Sequence, residues 1–506
     1  MNLYQAMVDA AAGHEEAVAF EAEGDRAMTH AALHEAVART AGALVALGVA
    51  PGDRVVAQVE KSLGNVVLYL ATLRCGAVFV PLNTGYTRAE LAFFVDDAAP
   101  RCLVCDPGRV EALEDLAAVA QGRTTLLTLD SEGGGSLADA AAASAALPIV
   151  ARAPADLAAI LYTSGTTGRS KGAMLTHDNL YANAVALRAL WGWRPDDLLL
   201  HALPIYHVHG LFVALHCALL EPSPVRFLRA FDAQRVVDGL RGARVYMGVP
   251  THYTRLLSEP SFDRDATASV RLFISGSAPL LPDTFAQFEA RTGQRILERY
   301  GMTEAGMIAS NPLEGRREPG TVGHALPGVD ARLRTPDGAP VGPGEVGVLE
   351  IRGPNVFAGY WQQPEKTRAE FRDGWFITGD LATIADDGRI AIVGRHKDLI
   401  ISGGLNVYPR EVEACIDELP GVVESAVIGV GHADFGEAVV AIVVADPDWP
   451  GEAASRSALR ARLAPFKVPK RILRTEQLPR NAMGKVQKAA LRATHSELFA
   501  DGSSDA

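Results

Sequence analysis

The sequence predicts an α/β protein: a large N-terminal domain of parallel βαβ sheets containing a small β-rich subdomain, then a small α+β C-terminal domain. Three observations carry that prediction. In the first third of the chain, short apolar runs alternate with segments of helical spacing, the pattern of βαβ units around a mostly parallel sheet. Between Gly320 and Gly353, Gly323, Pro327-Gly328, Asp337-Gly338 and Gly342-Pro343-Gly344 punctuate short apolar segments, which points to small β structure. After Gly394-Arg395 the βα pattern returns.

Residues 54–59 are a largely apolar run, 63–74 have helical spacing, and 77–82 are again strand-like. Residues 87–97 read as a helix leading into a strand at 101–105. The Ser-Glu-Gly-Gly-Gly-Ser stretch at 131–136 reads as a flexible surface loop, with an Ala-rich helix after it. Farther on, 346–352 is strand-like, 411–419 is helical, and 425–430 and 438–445 are strands. A chain of 506 residues is too long for one ordinary core. The expected domains are 1–396, with the β-rich part at about 320–394, and 397–506.

Composition narrows the function classes. A formal net charge of −12 gives no bulk attraction for a polyanion, so neither nucleic acid nor an anionic membrane is an expected partner. A nucleotide can still be bound by local cations. Of the five cysteines, only Cys102 and Cys105 form a C-x-x-C; with Leu103-Val104 between them and no second pair, they read as reduced core thiols. The first twenty residues carry Asp9, Glu15 and Glu16 without a basic segment, unlike a signal peptide. No apolar run is long enough to span a membrane. The expected location is the cytoplasm.

The sharpest local signal is Tyr162-Thr163-Ser164-Gly165-Thr166-Thr167-Gly168-Arg169-Ser170-Lys171-Gly172, after an apolar strand at 157–161 and before a helix starting near His177. Glycines free the backbone to wrap an anion, hydroxyls and amides donate, and Arg169 and Lys171 supply charge. It is not the G-x-x-x-x-G-K-[ST] loop, because the lysine does not directly follow the last glycine.

This run resembles the phosphate-binding loop of the adenylate-forming superfamily, which includes acyl-CoA synthetases, firefly luciferase and the adenylation domains of peptide synthetases. Six further stretches resemble the family's motifs in order. They are Pro204–Gly210 with its Tyr-His-Val-His gate, Ser275-Gly276-Ser277-Ala278-Pro279-Leu280, Tyr300-Gly301-Met302-Thr303-Glu304, and Phe376-Ile377-Thr378-Gly379-Asp380. The last two are Gly394-Arg395-His396-Lys397-Asp398 and Pro479–Lys485.

The resemblance implies a site for ATP, Mg²⁺ and coenzyme A. ATP would be bound by Thr163, Ser164, Gly165, Thr166, Thr167, Gly168, Lys171, Ser277, Ala278, Pro279, Tyr300, Gly301, Met302, Thr303, Asp380 and Arg395. Thr303 would contact the α-phosphate, and Glu304 with Thr166 would hold the metal. Lys485, His207, Thr303 and Glu304 would be the catalytic residues, with Lys485 steadying charge as a carboxylate attacks the α-phosphate. After adenylation a mobile C-terminal domain would turn about Lys397 and Asp398 and present Ser402, Gly403 and Gly404 to the thiol. Lys485 also sits in the Gly-Lys context modified by lysine acetyltransferases, an implied partner.

The acid is read from one position. In family members that take aromatic or long-chain acids, the residue before Tyr-Gly-Met-Thr-Glu is commonly glycine; here it is Arg299. A guanidinium there excludes long acyl groups and meets a second carboxylate that an apolar pocket would reject. His207, His209, Met302 and Gly276 would share the acyl pocket with it. Together with Glu298-Arg299-Tyr300 and the Glu-Lys-Ser run at 60–62, these segments resemble bacterial malonyl-CoA synthetases. Malonate is therefore the expected acid, with methylmalonate next. Relatives often carry a cation just before the Phe of Phe231-Asp232; here that position is Ala230, with Arg229 one earlier. The competing readings are a short/medium-chain or aromatic acyl-CoA synthetase, an adenylation protein loading a carrier in trans, and a non-enzymatic binding relative.

Overall fold

The computed structural model describes the chain apart from residues 23–25, 117, 118, 120, 164–169, 403, 404, 433, 434, 482, 483 and 500–506. Ser164, Gly165, Thr166, Thr167, Gly168, Gly403 and Gly404 of the expected site thus lie outside the described residues. The chain divides into two compact units, Met1–Asp330 with Ile351–Phe376, and Ala331–Glu350 with Ile377–Ala506.

Among the described residues, the first unit holds two large sheets. One runs in the order His324–Ala325, Gly306–Ser310, Leu297–Met302, Leu272–Ser275, Val245–Gly248, Leu199–His201, Val225–Phe227, Val18–Ala22, Arg26–Thr29. Its six central strands, from Leu297–Met302 to Val18–Ala22, are parallel. The other runs Gly359–Tyr360, Lys171–Thr176, Leu157–Thr163, Val78–Pro81, Arg54–Gln58, Cys102–Cys105, Thr125–Thr128, again with a parallel centre.

Parallel strands are covered on both faces, so every residue of Val78–Pro81 and of Cys102–Cys105 is buried. Burial pushes the Cys102 thiol up to about 12 and the Cys105 thiol to about 11, as expected of inert core thiols. Side-chain caps start the helices between strands. Ser62 caps Leu63–Arg74, and Thr87 forms a reciprocal box with Glu90 at the head of Arg88–Ala98.

One placement differs from expectation. Ahead of the expected helix the chain forms an unforeseen strand: Lys171–Thr176 runs antiparallel to Leu157–Thr163, with Thr163 opposite Lys171. The helix His177–Leu190 begins where expected, directly after that strand. Lys171-Gly172-Ala173-Met174-Leu175-Thr176 is buried at all but one position. Such a short, doubly covered strand lacks the alternation that would have set it apart from the loop and helix around it. Lys171 is therefore anchored by strand pairing.

In the second unit, Ile400–Ser402, Leu405–Val407, Val422–His432, Gly436–Ala445 and Arg471–Thr475 build one sheet. The helices Pro409–Asp417 and Glu452–Arg460 pack Val412, Ile416 and Leu459 into the core beside its Val427, Val439 and Ala441. The Gly/Pro-punctuated stretch does form strands, including Asp330–Arg334 and Gly347–Arg352, and Trp375–Ile384 and Ile390–Arg395 follow it. No helix among the described residues is long and apolar enough to cross a membrane.

Candidate active site

The carboxyl ends of parallel strands are where open α/β sheets bind ligands. In the larger sheet His201 and Ser275 stand at such ends, and Arg299 comes directly after Glu298, the last residue of its strand that pairs in parallel. Beyond Ser275 the chain turns through Gly276 and Ser277, and Ser277 takes a left-handed φ of 72°, a conformation uncommon for a residue with a Cβ. The turn brings Ser277 Oγ to 3.3 Å from His209 Nδ1. Ala278 and Pro279 follow on the surface.

Arg299 is 4% exposed, and its Nε and Nη2 have no hydrogen-bond partner among the described residues. Burial lowers the guanidinium to about 9, opposed weakly by the nearby Tyr253. A buried, charged donor without an acceptor is costly. Gly276 makes the space. A Cβ built on it would lie 2.4 Å from Arg299 Cζ. Gly276→Ala should therefore displace the guanidinium and raise the KM for the acid about tenfold, with the KM for ATP little changed in steady-state assays.

His209 stands beside Arg299. It is buried, its Nε2 lacks a partner among the described residues, and burial, with Arg299 and neighbouring histidines, holds it far below the usual imidazole range. It is thus neutral at pH 7 and offers an uncharged polar edge to a ligand. His207 is half-buried next to the Tyr206 ring, with centroids 5.4 Å apart. His201 and His252, which sequence reasoning did not single out, lie buried near His209, and Lys61 is buried near both of them. Arg229 is elsewhere engaged, paired with Glu132 at 2.5 Å.

The strand Leu297–Met302 continues from Arg299 into Tyr300, Gly301 and Met302, all half-buried, and then into a hairpin with Gly306–Ser310. Gly301 is required there, since a Cβ would come 2.2 Å from the Gly306 carbonyl oxygen. At the hairpin tip Thr303 is half-buried and Glu304 is 6% exposed. The Tyr360 hydroxyl bridges two carboxylates, 3.0 Å from Glu304 Oε1 and 2.8 Å from Glu370 Oε2. Lys171 Nζ donates to Glu370 Oε1 at 3.1 Å and lies 4.2 Å from the Tyr360 ring centre. Tyr360 and Glu370, also unanticipated, thus join the loop lysine to the acid at the hairpin tip.

No group of three or more His, Cys, Asp or Glu side chains that could hold a metal occurs among the described residues. Magnesium, however, commonly takes one or two protein carboxylates together with phosphate oxygens. The buried Glu304 carboxylate fits that donor set.

In the second unit, Asp380 and Arg395 face each other across the hairpin, with Arg395 Nε 2.6 Å from Asp380 Oδ1. Asp380 is 3% exposed, and its N–H donates to Thr378 Oγ1. Lys397 is exposed, and Asp398 pairs with Arg492. Ser402 is buried at the end of its strand. Lys485 is exposed on a turn closed by Asn481, whose side chain accepts the Lys485 N–H at 3.0 Å.

The chain resembles proteins with this architecture over nearly its whole length. ATP-bound MatB from Rhodopseudomonas palustris is 51% identical with a TM-score of 0.96, covering 98% of this chain and 99% of that one. A feruloyl-CoA synthase from an Amycolatopsis species is 39% identical over 479 residues, 93% of this chain and 94% of that protein. The malonate–CoA ligase ACSF3 of Bos taurus is 37% identical over 481 residues, 87% of this chain and 81% of that protein. The model for AMP-binding enzymes matches residues 7–361, and that for the AMP-binding enzyme C-terminal domain matches 411–485. With both regions matched in order, the chain belongs to the AMP-binding enzyme family.

Proposed function

We propose that the protein is a malonate–CoA ligase that converts ATP, malonate and CoA into malonyl-CoA, AMP and diphosphate through malonyl-adenylate, accepting methylmalonate as well. The observation that carries this reading is the buried Arg299 guanidinium beside Ser277 and the neutral His209. A short acid whose far end is a second carboxylate supplies the missing acceptor. Similarity to ACSF3 and to the malonate–CoA ligase of Arabidopsis thaliana supports the same substrate. The aromatic alternative draws on the feruloyl-CoA synthase likeness, but a ferulate ring would leave Arg299 buried against carbon.

One malonate oxygen attacks the α-phosphorus of ATP and diphosphate leaves. The CoA thiolate then attacks the acyl carbonyl of the mixed anhydride and AMP leaves. Ser164–Gly168 and Lys171 are the proposed phosphate ligands, Ser277 to Pro279 with Tyr300 to Met302 the adenine wall, and Asp380 and Arg395 the ribose partners. Magnesium, held by Glu304 and Thr166, would offset triphosphate charge. Thr303 would hold the α-phosphate and His207 the acyl carboxylate. Lys485 would donate to oxygens that gain charge during adenylation. We place the functional boundary at 396/397, with Lys397 and Asp398 as the hinge and Ser402 to Gly404 facing CoA, and the protein in the cytoplasm.

Diphosphate release with ATP, CoA and acetate, malonate, methylmalonate, succinate, 4-coumarate or ferulate tests the substrate. Malonate should give the highest kcat/KM and methylmalonate the next. A preference for acetate or ferulate would overturn the reading.

A further inference from the structure

Behind the acyl pocket lies a layer of buried polar groups with no role in the chemistry described above. Lys61 follows the strand Arg54–Gln58 of one sheet, and His201 ends the strand Leu199–His201 of the other. Lys61 Nζ is 2.9 Å from His201 Nδ1 and donates to the His201 carbonyl oxygen at 3.0 Å. Both residues are buried, and the ammonium sits 4.4 Å from the Phe227 ring centre, on which the imidazole stacks.

An ammonium can only donate, so His201 Nδ1 must accept, and the ring proton lies on Nε2. That Nε2 faces the Gly210 carbonyl oxygen at 2.9 Å and donates to it. The same oxygen accepts the Leu215 N–H, the five-residue spacing of the π-helical turn His209–Ala214. Such turns are rare and need support from outside the helix. Gly210 is packed backbone to backbone, for a Cβ on it would lie 2.1 Å from the Pro204 carbonyl oxygen. The first residue of this turn is His209, whose ring meets Ser277 next to Arg299.

We propose that Lys61 and His201 are positioning residues: the chain of hydrogen bonds Lys61–His201–Gly210 holds the π-helical turn in the spacing that aims His209 at the acid's distal carboxylate. Relaxation of the turn to ordinary four-residue spacing would rotate His209 away from Ser277. The effect on acid affinity rests on the malonate reading given above; the effect on the turn does not.

Three variants separate the roles. His201→Phe keeps the ring but removes both nitrogens, His201→Gln keeps a donor for Gly210, and Lys61→Met keeps the aliphatic stem. Amide hydrogen exchange over residues 209–215, measured without substrate, reads the turn directly. Exchange there should be about tenfold faster in His201→Phe and Lys61→Met, unchanged in the helix Leu63–Arg74, and near wild type in His201→Gln. In parallel, the KM for malonate should rise about tenfold in the first two variants, while kcat and the KM for ATP stay within about threefold. Unchanged exchange in all three, or equal damage from Gln and Phe, would overturn the proposal. If His201→Phe does not fold, Lys61→Met against His201→Gln decides by the same readouts. Faster exchange with unaltered malonate KM would retain the clamp on the turn and overturn its role in acid binding. A wild-type enzyme that ignores malonate would sink the substrate reading, and the exchange result would still decide the clamp.

Discussion

Replacing Arg299 by glycine should lower kcat/KM for malonate by a factor of roughly 100 or more and raise activity on longer monocarboxylic acids such as hexanoate. Truncating one member of a buried charge pair costs about 3 kcal/mol or more, and about 1.4 kcal/mol corresponds to a factor of ten. The guanidinium has no competing acceptor on its Nε and Nη2 among the described residues, so the distal carboxylate should receive most of its binding energy there. Removing the side chain also empties space beside Gly276 that an alkyl tail can fill. The result is read as kcat/KM for malonate, propionate, butyrate and hexanoate. Equal malonate kinetics in the two proteins would mean that the carboxylate is recognised elsewhere.

The second large effect concerns Lys485. Lys485→Ala should reduce malonyl-adenylate formation by roughly 100- to 1000-fold, the usual loss when one donor to developing oxyanion charge is removed. Conversion of supplied malonyl-adenylate to malonyl-CoA should stay within a few-fold of wild type. The residue is solvent-exposed on a turn closed by its neighbour Asn481, so the substitution removes a charge without opening a core. Enzyme acetylated at Lys485 should show the same split, because the modification removes the charge. Isotope exchange between diphosphate and ATP reports the first half-reaction, and single-turnover mixing with CoA reports the second. Equal loss in both would contradict the assignment.

Much of the fold could be read from pattern. The helix Leu63–Arg74 and the buried strands around it stand out because a parallel sheet demands continuous apolar runs and capped helices between them. The strand Lys171–Thr176 was hidden because it is short, follows a Gly- and Thr-rich loop and runs directly into the cap of His177–Leu190. Arg299 stood out in the sequence because it departs from a family motif, and the structure buries it with Nε and Nη2 unpartnered among the described residues. Lys61 and His201 were not: they lie 140 residues apart, and each alone resembles an ordinary strand-end polar residue. Their meaning comes from a contact between two different sheets, which no local pattern announces. Tyr360 and Glu370 were missed for the same reason, since nothing in the local sequence ties them to Glu304 or Lys171. A motif can mark what touches a ligand; what supports that contact depends on tertiary neighbours.

Arg299 is proposed to read a second carboxylate. That reading is tested most directly by comparing malonate with 3-methylbutanoate, in which two methyl groups replace the distal carboxylate oxygens at nearly the same shape. In wild-type enzyme, kcat/KM for adenylation should favour malonate by about 100-fold or more, and in Arg299→Gly the ratio should fall to near one or invert. A wild-type ratio near one, or a large ratio that survives the substitution, would contradict the account.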